Sequence, residues 1–140
     1  MPLSGGCQCG AVRFVVEGEI LKASLCHCRM CQKAFGAYFA PLAEVTGFRW
    51  TKGTPGHFRS SDIARRGFCV ACGTPLTYEP DAGVVEVAIG AFDDPSSVPL
   101  GAEDAAPLAE LARVHAALWD AGKWAKVVSR QHPDAQEDAA

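Results

Sequence analysis

The amino-acid sequence predicts a compact, mainly β fold with short helices and one C-terminal helix. Three observations carry that expectation. Short apolar runs, several of them alternating with polar residues, recur along residues 11–89. Glycine and proline interrupt these runs about every 8–12 residues, the spacing of strands joined by tight turns. Helical periodicity is confined to a short stretch after Cys28 and a longer one from Ala105.

The elements follow in order. Residues 11–17 place Val12, Phe14 and Val16 on one face and Arg13, Val15 and Glu17 on the other, the pattern of a half-buried strand. Gly18 and Glu19 form a turn, and residues 20–25 (Ile-Leu-Lys-Ala-Ser-Leu) return as the hairpin partner. Arg29 to Ala37 carries helix formers and predicts a short helix. Strands are expected over 38–43, 47–51, 56–60, 66–69 and 75–79, and 84–89 (Val-Val-Glu-Val-Ala-Ile) reads as a buried central strand. Asp93-Asp94-Pro95 is a turn. From Ala105 to Trp119, Leu108, Leu111, Ala112, His115 and Leu118 recur at three and four, which predicts a helix covering the sheet. Beyond Gln131 the chain is polar, with Pro133. The expected organisation is one metal-binding domain over residues 1–131 and a flexible tail over 132–140.

With 140 residues and a formal net charge of −3, the chain has the size of one domain and no basic footprint for nucleic acid. No stretch reaches the roughly 18 apolar residues of a membrane span. The opening residues Met-Pro-Leu-Ser-Gly-Gly-Cys lack the basic and apolar regions of an export signal, so the expected compartment is the cytoplasm. That compartment keeps thiols reduced. Seven cysteines there, an odd number, point to metal ligation rather than a disulfide framework.

The cysteines fall into three groups. Cys7-Gln8-Cys9-Gly10 and Cys69-Val70-Ala71-Cys72-Gly73 are each a close pair followed by glycine. A metal knuckle turns its amides toward the sulfurs and pushes the residue after the second cysteine toward positive φ, where glycine is unstrained. Two such halves make a tetrahedral thiolate site of the kind zinc prefers, and pin an early strand to a late hairpin. The competing reading, a redox Cys-x-x-Cys, calls for a strand-to-helix junction. Here the pair lies between expected strands.

The third group, Cys26-His27-Cys28-Arg29-Met30-Cys31, offers three thiols in a six-residue string. Three thiolates leave one tetrahedral position on zinc for an outside ligand, as in catalytic sites. His27, His57, His115 and His132 are candidates to close it instead, although His27 sits inside the Cys-x-Cys and should point away. Left open, the site carries net negative charge and is a weak Lewis acid. It suits holding an incoming thiol as a nucleophilic thiolate better than making hydroxide. A small electrophile such as an aldehyde is then within reach.

Gly6-Cys7-x-Cys9-Gly10, Cys26-His27-Cys28-x-x-Cys31-x-Lys33-x-x-Gly36, Arg66-x-Phe68-Cys69-x-x-Cys72-Gly73-Thr74-x-Leu76 and Ile89-Gly90-x-Phe92-Asp93-Asp94-Pro95 together resemble the glutathione-dependent formaldehyde-activating enzyme family, which also includes centromere protein V. The resemblance implies a β-rich zinc fold. It implies a structural zinc on Cys7, Cys9, Cys69 and Cys72, and a catalytic zinc on Cys26, Cys28 and Cys31. It implies condensation of glutathione, a small-molecule thiol, with formaldehyde, or the reverse carbon–sulfur lyase reaction. The chain departs from the family pattern after Pro99, where 101–114 is rich in alanine and leucine and Trp119 and Trp124 stand as candidates for a family tryptophan. Should that segment line the pocket, the substrate differs from glutathione.

Around these groups, Arg66 could bind a carboxylate, but its nearness to Cys69 favours a surface or knuckle-packing role. Arg29 and Lys33 flank the open site, either steering an anionic thiol or simply solvated. Phe35, Phe39 and Phe68 are expected in the core, and Ser60-Ser61-Asp62 in a turn. The alternatives to an enzyme are a zinc-stabilised binding module and a redox or metal-buffering protein. Against nucleic-acid binding, ligation of two zinc ions by seven thiolates makes the chain more negative still.

Overall fold

The structure, a computed structural model, describes residues 1–98. Two antiparallel sheets organise them. The smaller has the order β1 (Leu3–Gly6), β2 (Arg13–Val16), β5 (Phe48–Lys52). The larger has the order β3 (Ile20–Cys26), β4 (Ala40–Val45), β9 (Val85–Ala88), β8 (Pro75–Pro80), β7 (Ala64–Phe68), β6 (Gly56–Ser61). One helix, α1 (Arg29–Phe35), joins β3 to β4. Short 3₁₀ turns at Ile89–Ala91 and Pro95–Ser97 close the described chain. The mainly β expectation holds. The helix expected over 105–119, the polar tail from 132 and the proposed domain end at 131 lie outside the described residues.

The core forms where apolar alternation meets from the two sheets. Val12, Phe14 and Val16 are buried as their spacing demands. Phe14 packs against Phe48, Trp50 and Phe92 with ring centroids 5.3, 6.3 and 5.5 Å away. Ala43, Val45 and Val87 are also buried in this cluster. Each large side chain removed from water contributes roughly 1.5–3 kcal/mol. The β9 strand lies between β4 and β8, as its apolar run implies.

Two readings change. Residues 20–25 do form a strand, but β3 pairs with β4 and not with β2, which takes β1 and β5 as partners. The reason lies at Glu17–Glu19. There the chain crosses from one sheet to the other beside a second crossing at Thr46–Gly47. Glu17 and Gly18 donate amides to the carbonyls of Gly47 and Thr46, and Thr46 donates to the Glu19 carbonyl. A Cβ at Gly18 would stand 2.2 Å from Thr46 Oγ1, so the two crossings approach this closely only with glycine. The apparent hairpin turn is therefore a sheet-to-sheet crossing. The second change is β1 itself, whose Leu-Ser-Gly-Gly carries no alternation and becomes a strand by pairing Leu3 with Val16 and Gly5 with Phe14.

The Asp93-Asp94-Pro95 segment locks this corner. Arg13 binds Asp93 through two hydrogen bonds of 2.8 and 2.5 Å, and the Asp93 amide donates to the Ser4 carbonyl. Asp94 caps the final 3₁₀ turn by accepting from the Ser96 amide at 3.1 Å.

Two candidate metal centres

The seven cysteines resolve into two constellations, one of four thiols and one of three, each gathered so that its sulfurs lie within 4.8 Å of one another. The first joins the end of β1 to the β7–β8 turn. Cys7 and Cys69 are buried, Cys72 is partly buried and Cys9 is exposed. The two halves repeat one conformation. Gly10 donates its amide to the Cys7 carbonyl at 3.1 Å and Gly73 to the Cys69 carbonyl at 2.8 Å, and both glycines sit at φ +79°. An L-residue is strained there, which accounts for the glycine after each pair.

Sulfur separations test whether a metal fits. For bonds of about 2.3 Å, tetrahedral geometry sets the sulfur–sulfur edges near 3.8 Å. The Cys7–Cys9 and Cys9–Cys69 edges are 3.6 and 3.7 Å. Two of the six edges thus match a tetrahedral ligand set, and all four sulfurs lie within 4.8 Å of one another. Thr74 joins the halves: its hydroxyl oxygen accepts from the Gln8 amide at 3.0 Å, leaving its hydrogen for the Cys72 sulfur 3.1 Å away. Hydrogen bonds from the Thr74 hydroxyl and amide hold the Cys72 thiol down to about 5 before any metal binds. Cys9 behaves oppositely. The Ala11 amide lowers it, but Cys7, desolvation and the remaining thiols outweigh that and raise it to about 11. Metal binding at neutral pH therefore expels a proton from Cys9.

The second constellation sits on the outer side of the larger sheet. Cys26 ends β3, Cys28 is the N-cap of α1 and Cys31 lies in its first turn. Cys28 caps through its sulfur, which accepts from the Cys31 amide at 3.4 Å. That bond, largest among the causes, lowers the Cys28 thiol below its ordinary value. Burial pushes Cys31 up to about 12, against the pull of the Arg66 guanidinium. Gly36 ends the helix in the left-handed conformation at φ 62°. Among the described residues no histidine or carboxylate joins the trio. His27 is exposed, with its ring 5.8 Å from that of Phe39, and His57 bonds Glu79 at 2.8 Å. His115 and His132 lie outside the described residues.

Arg66 is the largest departure from the sequence reading. It is buried, and it faces the trio rather than the knuckle. Its Nη2 donates to Cys31 Sγ at 3.3 Å, its Nε donates to Ser60 Oγ at 2.9 Å, and its guanidinium lies 4.9 Å from the centre of the Tyr78 ring. Arg66 and Cys69 are three apart, and successive side chains of a strand point to opposite faces. That offset was the signal available in the sequence. Ser60 accordingly serves to hold Arg66. Phe35, Phe39 and Phe68 are only partly buried.

The three thiols open onto a cavity of about 170 Å³, completed by Met30, Leu42, Arg66, Tyr78 and Glu86. No local pattern in the sequence marks Tyr78 or Glu86, because only the strand order β4-β9-β8-β7 brings them beside the cysteines. A groove of about 320 Å³ shares Met30 and Arg66 with this cavity and continues along Lys33, Ala34, Phe58 and Ser60. A larger recess of about 400 Å³ between α1 and Tyr38 includes Arg29 and Lys33 but none of the thiols. The three candidate metal-ligating thiols converge on the smaller space.

Because a lysine cannot bond Ser60 and Cys31 with one planar fork or stack on Tyr78, Arg66→Lys removes the support of the Cys31 sulfur. Metal at the trio should bind about 10–100-fold more weakly, as when other outer partners of metal ligands are lost. Competition with a chelator, read beside a melting curve close to wild type, checks this.

Comparison with known proteins adds two findings. A family model described as "Glutathione-dependent formaldehyde-activating enzyme" matches residues 2–110. The chain is also similar to a Rhodobacter sphaeroides protein of known crystal structure, at 26% identity and a TM-score of 0.51, over 63% of this chain and 85% of that one. No helix among the described residues is long and apolar enough to cross a membrane.

Proposed function

The chain belongs to the glutathione-dependent formaldehyde-activating enzyme family, and on that premise we propose that it adds a thiol such as glutathione to a small aldehyde such as formaldehyde, or runs the reverse carbon–sulfur lyase reaction. Cys7, Cys9, Cys69 and Cys72 hold a structural zinc, and Cys26, Cys28 and Cys31 hold a catalytic one. The observation that carries this reading is the grouping of three thiols, with no fourth ligand among the described residues, at the wall of a cavity. The cytoplasm is the compartment that suits seven reduced cysteines.

Zinc bound to the trio would lower the proton affinity of an incoming thiol and keep its sulfur nucleophilic. The chain's own residues do the rest. Cys28 and Cys31 are fixed by the start of α1, so the trio presents one geometry. Arg66 bonds Cys31 and places a positive charge beside a centre that three thiolates make negative. Leu42 and Met30 contribute apolar walls that limit the water around the reacting atoms.

A cavity of about 170 Å³ accommodates a thiol sulfur and an aldehyde but not a tripeptide, since pockets for ligands of that class run to about 300–1,000 Å³. The body of glutathione extends into the adjoining groove, past Met30 and Phe58, with Lys33 available to a carboxylate.

The test is direct. Metal analysis should return two zinc ions per chain. X-ray absorption should gain a zinc–sulfur contact of about 2.3 Å when glutathione is added, and the S-hydroxymethyl adduct should form faster with enzyme than without. An unchanged absorption spectrum together with no acceleration removes the reading.

A further inference from the structure

Resting on the thiol-addition reading, we propose that Glu86 is a further catalytic residue, which takes the proton of the incoming thiol and delivers it to the aldehyde oxygen. The cavity that opens onto the trio has a volume of about 170 Å³ and carries Glu86 on its wall. A sulfur seated at the trio with an aldehyde against it fits within that space.

Elimination among the lining groups points the same way. Leu42 and Met30 carry no titratable group, and the three cysteines are engaged as ligands. Arg66 donates only. Burial raises the Tyr78 phenol above its ordinary value, so it stays protonated near neutrality and is a poor acceptor. His27 does not line the cavity. Glu86 is the group that remains.

Its carboxylate is also uncommitted. Glu79 accepts from Thr77 and pairs with His57 and Arg65, Asp93 pairs with Arg13 and Asp81 with Arg59. Among the described residues Glu86 has no such partner. It is half-buried, at the middle of a row that crosses five strands through register pairs: Lys22 opposite Glu44, Glu44 opposite Glu86, Glu86 opposite Tyr78 and Tyr78 opposite Arg66. Burial, then the charge of Glu44, raises the Glu86 carboxyl, while Arg66 and Lys22 oppose that rise. The groups facing it are therefore Glu44 from β4, Lys22 from β3, Tyr78 from β8, Arg66 from β7 and the trio across the cavity. A carboxyl so balanced can gain and lose a proton within one turnover.

The step balances without redox change. The thiol S–H bond breaks and its proton passes to the Glu86 carboxylate. The sulfur electron pair forms the C–S bond, the carbonyl π pair moves to oxygen, and that oxygen takes the proton back from Glu86. The product is a hydroxymethyl thioether, and the carboxylate is restored.

Glu86→Gln keeps size and removes the proton acceptor. It should lower kcat/KM for glutathione and formaldehyde by about a hundredfold, while Glu86→Asp recovers part of the loss. A second readout needs no turnover. Calorimetry of glutathione binding to the zinc-loaded protein at pH 7, in buffers of different ionisation enthalpy, counts protons released. The wild type should release close to none, because Glu86 retains the proton, and Glu86→Gln close to one. Equal proton release with unchanged kcat/KM in the variant overturns the role of Glu86 and leaves thiol addition standing. No glutathione binding by the wild type overturns both.

Discussion

Cys69→Ser is expected to leave the chain largely unfolded at 25 °C and without its four-thiol metal. Cys69 is 1% exposed, and its sulfur lies 3.7 Å from that of Cys9, sixty residues earlier. Through this cluster β1 of the smaller sheet is tied to the β7–β8 turn of the larger. Structural zinc in small domains contributes roughly 10–16 kcal/mol of apparent binding energy at neutral pH. Whole domains are stable by only about 5–15 kcal/mol. Losing that metal therefore removes a quantity comparable with the entire stability. Far-UV circular dichroism and metal content measure the effect. A variant that melts like the wild type and retains two metals would show that the cluster is not the staple of the fold. Treatment of the wild type with a strong chelator should reproduce the unfolding.

Cys31→Ser should separate function from folding. Serine is close in size, and its hydroxyl can still accept from Arg66, so the buried site stays filled and the guanidinium keeps a partner. The fold and the first metal survive, while the second metal is lost or greatly weakened. Thiol–aldehyde adduct formation should then fall about a thousandfold or more, since both the activated thiolate and its placement beside the aldehyde disappear. Metal analysis, a melting curve and the adduct rate on one preparation check all three statements. Activity near wild type with only one metal per chain would place the chemistry elsewhere.

Much of this was readable from the chain because it depends on local spacing. The cysteine pairs with their glycines, the trio crowded before a helix, and the alternation of Val12, Phe14 and Val16 are short-range signals, and the structure gathers each set as its spacing implies. Strand partnership is a long-range property. Nothing in residues 17–20 distinguishes a hairpin turn from a crossing between sheets until the matching crossing at Thr46–Gly47 is in place. The β1 strand has the same origin, since Leu-Ser-Gly-Gly becomes extended only by pairing with β2. Arg66 lies near Cys69 in sequence, but its side chain bonds Cys31, thirty-five residues away along the chain. In sequence Glu86 is one polar residue within the apolar run 84–89. Its meaning comes from the β4-β9-β8 order that sets it beside the trio's cavity.

The two centres also differ in when they can take up metal. Cys26, Cys28 and Cys31 occupy a single β3–α1 junction, so they can close on an ion as soon as that short stretch exists. The four-thiol centre must wait for β7, with sixty residues between Cys9 and Cys69. Closing a loop of that length rather than one of about five residues costs about 2 kcal/mol more in chain entropy. During synthesis the local site would therefore be first to close on an ion, and the proposed structural ion the last to be bound. If the four-thiol centre binds zinc as proposed, the fraction of chains that fold should therefore rise with the metal present during synthesis, which translation with and without added zinc would measure.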